Sequence, residues 1–307
     1  MTTQLDNSNI TVHLGQTSEY KSQYDSTLLV REPRANNRKH LDIQDDDLPF
    51  VGYDTWNAYE VSALTTNGLP VAGVAKIVYP CYSQYIVESK SIKLYFNSFN
   101  MFKCGETPED VLQFITTRAV EDLSMLLHTN VDVYIEAADT SNQGVSVFNA
   151  SKYQTLERMF TSDYLKSIEI TQYAESPELL EHAPMTDDVT SHEEWFHSAL
   201  LKSNCRVTSQ PDWGDVYIYI KSHLPVDPES LLRYVISFRD ECHFHEEICE
   251  TIYKRMLDVY SPQDLCVTCL YARRGGIDIN PTRASSKDLI SETLIDPTVS
   301  HFKTPKQ

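Results

Sequence analysis

A repeat at a spacing of 139 residues constrains the fold of this chain more than any other feature of its sequence. Residues 91–100 align with residues 230–239, and four of the ten positions are identical: Ser91/Ser230, Tyr95/Tyr234, Ser98/Ser237 and Phe99/Phe238. A second segment with helical spacing of apolar residues and then a short apolar run follow each copy. Because the predicted elements also follow each copy in the same order, the short sequence identity is more significant than it would be alone. The sequence therefore predicts two units with the same order of elements.

Hydrophobic period and capping signals define the elements of each unit. In the first unit we predict a strand over residues 69–79, a second strand beginning at 84–87, a helix with apolar residues at 92, 95, 96 and 99, a helix from Thr107-Pro108 to about Leu127, and a strand over 131–137. In the second unit we predict a strand over residues 216–220, a helix opening at Asp227-Pro228, a longer helix over about 244–260, and a strand over 265–271. Each unit is then of β-β-α-α-β type. Two helices covering one face of an antiparallel sheet give an α+β fold.

The segments outside the repeat suggest where the chain divides. Residues 1–45 are polar and without a clear period, which is typical of an extended lead-in that packs on a domain. An acidic, proline-containing stretch over residues 175–188 suits a linker. We therefore expect two modules, residues 1–190 and residues 191–307. The loop around Cys205 has no counterpart in the first module, so the chemical work is predicted to be divided unequally.

Composition narrows the classes of partner and compartment. A net charge of −18 opposes general affinity for nucleic acid or anionic membrane, and no apolar run approaches a membrane span. Seven cysteines in a long chain whose start lacks signal-peptide character predict reduced thiols and a cytoplasmic protein. The nine glycines form neither a G-x-G-x-x-G motif nor a Walker loop, so a nucleotide cofactor would not bind on a Rossmann turn.

One stretch places a thiol and a carboxylate within reach of each other. Cys205 and Asp212 are seven positions apart and would lie roughly 23 Å apart in an extended chain. Pro211 fixes its own φ and disfavours helix at Gln210, which indicates a loop that doubles back and brings the two side chains together. Such a pair can act as nucleophile and proton donor. The alternative is a small buried cysteine and an aspartate that forms a turn.

Two basic segments are candidates for anion binding. Lys90 and Lys93 lie at a predicted strand-to-helix junction, where the free backbone N–H groups of the helix start also favour phosphate. Near the other end, Arg273 and Arg274 precede a flexible Gly275-Gly276 turn. Ordinary solvated lysines and a solvated arginine turn remain the alternatives.

The segment 242–249 allows two interpretations. His245 and Cys249 are four apart on one helical face, with Cys242 and His243 nearby, which is compatible with zinc ligation. Cys266 and Cys269 lie in a predicted strand on opposite faces and form no clamp. Alternatively, His245 and Glu246 recognise a purine-like base, since one carboxylate accepts two parallel hydrogen bonds and Phe244 can stack beside the ring.

Taken together, these motifs resemble the family of 7-cyano-7-deazaguanine reductases, the NADPH-dependent nitrile reductases of queuosine biosynthesis, in their two-module form. The residues that carry the resemblance are Glu88-Ser89-Lys90-Ser91-x-Lys93-Leu94-Tyr95, Asn204-Cys205, Gln210-Pro211-Asp212, Ser237-Phe238-Arg239, Phe244-His245-Glu246 and Arg274-Gly275-Gly276. The resemblance covers most of the chain. It implies tandem tunnelling-fold modules, antiparallel sheets with helices packed on one face, related to GTP cyclohydrolase I.

The resemblance also implies roles for individual residues. Cys205 would add to the nitrile carbon to give a covalent thioimide, and Asp212 would donate a proton as the hydride arrives from NADPH. The residues implied for the deazaguanine are Glu88, Ser89, Lys90, Phe244, His245 and Glu246. The residues implied for NADPH are Lys90, Ser91, Lys93, Arg274 and Gly275. The family is expected to need no metal, to consume two NADPH per nitrile, and to place its site between modules. We expect a homodimer, since closing a barrel of such modules usually takes more than one chain.

Two other functions stay open at the level of sequence. The first is a zinc-dependent enzyme of the same fold that resembles GTP cyclohydrolase, with Cys242 among its metal ligands. The second is a binding module that keeps the base pocket without chemistry, although the presence of both Cys205 and Asp212 opposes it.

Overall fold

The computed structural model describes residues 20–139, 144–184 and 190–307. Its strands are β1 (Arg31–Pro33), β2 (Val51–Leu64), β3 (Pro70–Pro80), β4 (Tyr85–Val87), β5 (Asp132–Ala137), β6 (Gln154–Thr155), β7 (His192–Ser198), β8 (Lys202–Cys205), β9 (Pro211–Ser222), β10 (Cys242–His243), β11 (Asp264–Tyr271) and β12 (Ile277–Ala284). Its α-helices are α1 (Arg34–Arg38), α2 (Ser89–Ser98), α3 (Pro108–Leu127), α4 (Ser162–Ser167), α5 (Pro228–Ser237), α6 (His245–Tyr260) and α7 (Glu292–Ile295). Single turns of 3₁₀ helix lie between them.

One sheet runs through both halves of the chain. Six of its strands lie in the order β9-β11-β12-β2-β3-β5, and every neighbouring pair among them is antiparallel. Strands β12 and β2 join the halves in continuous register from the Ile277/Ala58 pair to the Ala284/Val51 pair. At the β9 end, β8 and β7 both pair with β9. The two halves therefore share a backbone hydrogen-bond ladder.

The predicted repeat is confirmed in three dimensions. Helices α2 and α5 begin and end at residues that are 139 positions apart. Glu88 and Asp227 occupy the same N-cap position, and each side chain accepts a backbone N–H of the first turn. In each half, strands precede a pair of helices and a further strand follows them, so the fold is α+β with antiparallel strands and packed helices, as the sequence predicted.

Each half has its own hydrophobic core between helices and sheet. In the first half, Ile92, Tyr95, Ile115 and other buried residues of α2 and α3 pack on β2, β3 and β5. In the second half, α5 and α6 pack on β9 and β11. The segment 144–184 contributes to this second core through Leu156 and Leu180. These two layers fix the positions of the helix N-termini relative to the sheet.

Two long strands of the sheet, β2 and β12, were not predicted. The strand paired with β3 is β2, whereas β4 pairs only with β1. Within β2, residues 54–58 are all buried and include polar side chains, and every residue of β12 is buried, including Asp278 and Asn280. Strands covered on both faces show no alternation of apolar and polar residues, which removes the signal on which strand prediction depends.

The predicted lead-in lies outside the described residues over 1–19; its described part packs on the rest of the fold as predicted but is not extended, since it contains α1 and two 3₁₀ turns. Buried ion pairs hold it in place. Arg38 in α1 donates from Nη2 to Glu250 Oε1 of α6 at 2.8 Å, and Arg283 of β12 donates to the same oxygen at 2.8 Å. Arg283 also pairs with Asp54 Oδ1 of β2 at 2.8 Å, and Arg34 pairs with the other oxygen of Asp54. The cluster joins α1, β2 and β12 to Glu250 in the second turn of α6.

Within the three described ranges, no helix is both long and apolar enough to cross a membrane.

Candidate active site

The Cys205 loop folds back as predicted. Asn204 pairs with Pro211 and Ser203 pairs with Asp212, so β8 and β9 form a tight hairpin. The Cys205 N–H donates to the Gln210 carbonyl at 2.8 Å, and the loop closes through Ser209, whose φ is 55°. The separation between Cys205 and Asp212 is therefore set by the pairing of β8 with β9 and not by the length of the loop. Both side chains line one cavity.

Residues from both halves of the chain line this cavity, which we call the inner cavity. Its walls are Trp56, Val87, Glu88, Ser89, Cys205, Val207, Asp212, His243, Phe244, His245, Glu246, Arg274 and Ile279. Its volume is about 20 Å³, which is room for about one water molecule. A purine-sized ligand can enter only if some of these side chains move.

Asp212 is held from two sides. Its Oδ1 accepts from Arg274 Nη1 at 2.8 Å, and its Oδ2 lies 3.2 Å from His245 Nε2. His245 is itself fixed by stacking on Tyr271 of β11, with ring centroids 3.7 Å apart and planes 7° from parallel. The carboxylate therefore has a defined orientation beside an imidazole nitrogen.

The Cys205 thiol is 9% exposed and is surrounded by hydrogen-bond donors. Burial by itself raises its pKa. Hydrogen bonds from the Thr208 hydroxyl, the Arg274 guanidinium and the backbone N–H groups of Thr208 and Val207 outweigh this effect, so the pKa of Cys205 is lowered. A thiol at a cavity wall with a lowered pKa has the properties of a reactive cysteine.

The first turn of α6 places unpaired polar atoms at the inner cavity. Glu246 is 3% exposed, and its Oε1 has no hydrogen-bond partner; His245 Nδ1 and Trp56 Nε1 are likewise buried without one. Burial, and then repulsion from Asp54, raise the pKa of Glu246 to about 8. Unpaired buried polar atoms cost free energy, so their clustering on one cavity wall is typical of a ligand site.

A second, larger cavity adjoins the first, and we call it the outer cavity. It has a volume of about 230 Å³ and is lined by Ser89, Lys90, Lys93, Thr208, Gln210, Arg274, Gly275 and Ile277. Lys93 Nζ pairs with Glu60 Oε2 at 3.1 Å on its rim. The predicted turn is formed, with φ of 60° at Gly275 and 78° at Gly276, and a Cβ at Gly276 would lie 2.6 Å from the Glu60 side chain.

Most of the predicted site residues are brought to these two cavities, with one exception. The Ser91 hydroxyl is fully buried and contacts the backbone of Val30 and Glu88, away from both cavities. The expected free N–H groups at the start of α2 are not free either. Glu88 accepts from the N–H groups of Lys90 and Ser91 at 2.9 and 2.7 Å, because its side chain is the N-cap. The carboxylate that was predicted to bind a base therefore also caps a helix.

The residues considered for zinc are engaged elsewhere. His243 Nε2 lies 2.8 Å from Glu241 and Nδ1 lies 2.9 Å from Glu247. Burial lowers the pKa of His243, but these two carboxylates outweigh it and raise the pKa to about 9. The Cys249 thiol is buried between backbone carbonyls, and Cys242 is exposed. Among the described residues, no group of three or more histidine, cysteine or acidic side chains is arranged to hold a metal ion.

Three residues of the site were not found from the sequence. Thr208 lies between the two predicted site residues of the loop, so its position in the hairpin was the available signal. Trp56 lies in the unpredicted β2, and Tyr271 reads as an ordinary strand residue. Their roles depend on contacts between elements that are distant in sequence.

The chain is an α+β protein whose two cavities are lined by residues from both halves of the sequence. Residues 20–135 match the family model described as nitrile reductase, 7-cyano-7-deazaguanine-reductase N-term, and residues 211–289 match the model described as QueF-like protein. Together the two matches cover more than half of the chain. The chain belongs to the nitrile reductase family of the queuosine pathway, which confirms the resemblance seen in the sequence.

A solved structure described as the archaeosine synthase QueF-Like in the apo form is also similar in part. The sequences are 16% identical, the match covers 32% of this chain and 95% of that one, and the TM-score is 0.28.

Proposed function

We propose that this chain reduces the nitrile of 7-cyano-7-deazaguanine to a primary amine with NADPH, through a thioimide on Cys205. The observation that carries the proposal is that Cys205, Asp212 and the unpaired Glu246 face the same cavity. A nucleophile, a proton donor and a base-binding acceptor are the three groups that this reaction needs. The family match supports the reaction class.

Base recognition is assigned to the first turn of α6. A deazaguanine presents a ring N–H and an exocyclic amine side by side, and the Glu246 carboxylate can accept from both. Glu88 and Ser89 approach from the other module, and Phe244 lies on the cavity wall. Lys90 lies at the neighbouring outer cavity. This arrangement would fix the base with its nitrile toward Cys205.

The chain's own residues account for formation of the adduct. The Cys205 thiolate adds to the nitrile carbon, a C–S bond forms, and one π bond of the nitrile breaks. The nitrogen takes up the proton that the thiol lost on ionising, which gives a neutral thioimide. Asp212 is the proton donor when the hydride arrives, and His245 Nε2, 3.2 Å from its Oδ2, can return a proton to it.

The outer cavity fits a phosphate-bearing cofactor by the chemistry of its donors. Lys90, Lys93 and Arg274 supply positive charge, and Gly275 has the positive φ that lets backbone approach an anion closely. We propose that these residues hold NADPH, and that Lys93 exchanges its contact with Glu60 for the ligand. When bound, the cofactor supplies the hydride. Two hydrides and two protons convert one nitrile into one primary amine.

Binding of the base is expected to release a proton. The pKa of Glu246 is raised to about 8 in the ligand-free protein, so this side chain is protonated at neutral pH. To accept hydrogen bonds from both the ring N–H and the exocyclic amine of the base, it must be a carboxylate. Below about pH 7, each ligand bound should release about one proton. Affinity should rise with pH and level off above about pH 8. Calorimetry of the Cys205→Ala protein in buffers of different ionisation enthalpy measures this quantity, with Glu246→Gln as the control that releases none.

Steady-state oxidation of NADPH tests the proposed function. We expect two NADPH to be consumed per 7-cyano-7-deazaguanine, with the primary amine as product. Guanine, which lacks the nitrile, should cause no oxidation. Consumption of GTP by the purified protein, without oxidation of NADPH by the nitrile, would contradict the proposal and support the alternative related to GTP cyclohydrolase.

We also propose two modules, residues 1–190 and 191–307, in a cytoplasmic homodimer. Within the described part of the chain, β5 ends the sheet and pairs only with β3, so its outer edge could pair with a second copy. The net charge of −18 supports a small-molecule substrate rather than direct contact with nucleic acid or membrane.

A further inference from the structure

We propose that Arg274 is a catalytic residue of the adduct-forming step, in addition to any contact with the cofactor. Its guanidinium bridges the Cys205 sulfur and the Asp212 carboxylate and holds the sulfur as a thiolate before the cofactor binds. The inference rests on the proposed function and deepens it, because it assigns how the nucleophile is activated.

The geometry follows from the turn between β11 and β12. The N–H groups of Arg274 and Ile277 each donate to the other residue's carbonyl, at 2.9 and 3.2 Å, which fixes the backbone of the turn. The Arg274 side chain then reaches Asp212 Oδ1 at 2.8 Å and borders both the inner and the outer cavity. Its side chain is 43% exposed. One guanidinium thus contacts the proton donor, lines the small cavity that the nucleophile also lines, and borders the space assigned to the cofactor.

The other charged groups around the thiol cannot perform this task. The titratable and charged side chains that line the inner cavity with Cys205 are Glu88 before α2, Asp212 of β9, His243 of β10, His245 and Glu246 of α6, and Arg274. His245 is directed at Asp212, and His243 at Glu241 and Glu247. Among these described side chains of the inner cavity, only Arg274 carries a permanent positive charge. Surrounded by carboxyl groups, a thiolate depends on this cation.

Electrostatics agree with the geometry. Burial raises the pKa of the Cys205 thiol, and hydrogen bonds from Thr208 and then Arg274 lead the effects that lower it. In return, the pKa of Arg274 is raised: burial lowers it, but its contacts with Cys205 and Asp212 outweigh that. Arginine keeps its proton at every relevant pH. The cation therefore stabilises the sulfur anion without protonating it.

An order of events follows. Because the same guanidinium borders the outer cavity, a phosphate bound there would compete with the sulfur for it. The adduct should therefore form in the cofactor-free protein. In that step the sulfur anion gains a bond to carbon, the nitrogen gains one proton, and nothing is oxidised or reduced.

Alkylation of Cys205 tests the role of Arg274 without any nitrile. The rate of reaction with iodoacetamide would be followed by peptide mass spectrometry from about pH 5 to about pH 10. We expect Arg274→Gln to raise the midpoint of the rate profile by about one pH unit and to slow alkylation near neutral pH about tenfold. Arg274→Lys should restore part of the shift. Arg273→Gln, on the same turn but with its guanidinium over the Tyr59 ring, should match the wild type.

A wild-type profile in Arg274→Gln, with circular dichroism showing an intact fold, would overturn the inference. A shift in Arg274→Gln that Arg274→Lys does not reduce would also overturn it, since the effect would then not depend on charge. Intact mass after incubation with 7-cyano-7-deazaguanine alone separates this result from the proposed function. A shifted alkylation profile without a nitrile adduct in the wild type would support Arg274 and contradict the proposed nitrile chemistry.

Discussion

Replacement of Cys205 by alanine is expected to abolish the thioimide and to reduce the rate of NADPH oxidation by at least about 10⁴-fold. A nitrile carbon accepts hydride poorly until a nucleophile has added to it, and the inner cavity offers one thiol at its wall among the described residues. Intact mass with and without the nitrile measures the adduct. An adduct that persists in Cys205→Ala would show that the nucleophile is misassigned.

Two comparison variants sharpen this result. Asp212→Asn should still form the adduct but reduce it about 10²- to 10⁴-fold more slowly, because the thiolate remains and the proton donor is lost. Cys242→Ala changes an exposed cysteine of β10 and should leave the rate unchanged. If the wild type contained stoichiometric zinc, and Cys242→Ala lost both this zinc and the activity, the metal-dependent alternative would be favoured.

Replacement of Glu250 by glutamine is expected to lower the free energy of unfolding by about 3–5 kcal/mol. Glu250 accepts hydrogen bonds from Arg38 and Arg283 in the buried cluster behind α6, so the glutamine would leave guanidinium groups buried without their counter-charge. Urea unfolding measures the loss. Glu121→Gln, which breaks the exposed pair with Arg118, is the matched control and should change stability by less than about 1 kcal/mol.

The contribution of Glu250 should also depend on pH. Burial raises its pKa, but Arg283, Arg38 and Arg34 outweigh burial and lower the pKa to about 2. A carboxyl whose folded pKa is depressed stabilises the protein above its unfolded value of about 4.3, and this stability is lost as pH falls toward 2. The difference in stability between wild type and Glu250→Gln should therefore shrink below about pH 4. A difference that stays constant down to pH 2 would contradict this assignment.

Much of the fold was predictable because its signals are local. Helix α3 begins after the Thr107 cap, with Pro108 in its first turn, and ends at Leu127 as predicted. Helices α2 and α5 follow from the repeat. The strands β2 and β12 were not predictable in the same way, since their polar residues Asp54, Asp278 and Asn280 are buried by elements far away in sequence. Local period carries no information about such burial.

The same distinction between local and long-range signals applies to the candidate site. By itself, the sequence determined the repeat, the hairpin that returns Asp212 to Cys205, and the identity of the chemical groups, because turn preferences and residue chemistry act over a few positions. Only the tertiary structure decided that Arg274 pairs with Asp212 at the cavity that Cys205 lines, and that Glu246 Oε1 is left without a partner. These outcomes depend on pairing between strands that are far apart in sequence, β9 with β11 and β12 with β2, and no local pattern encodes that pairing.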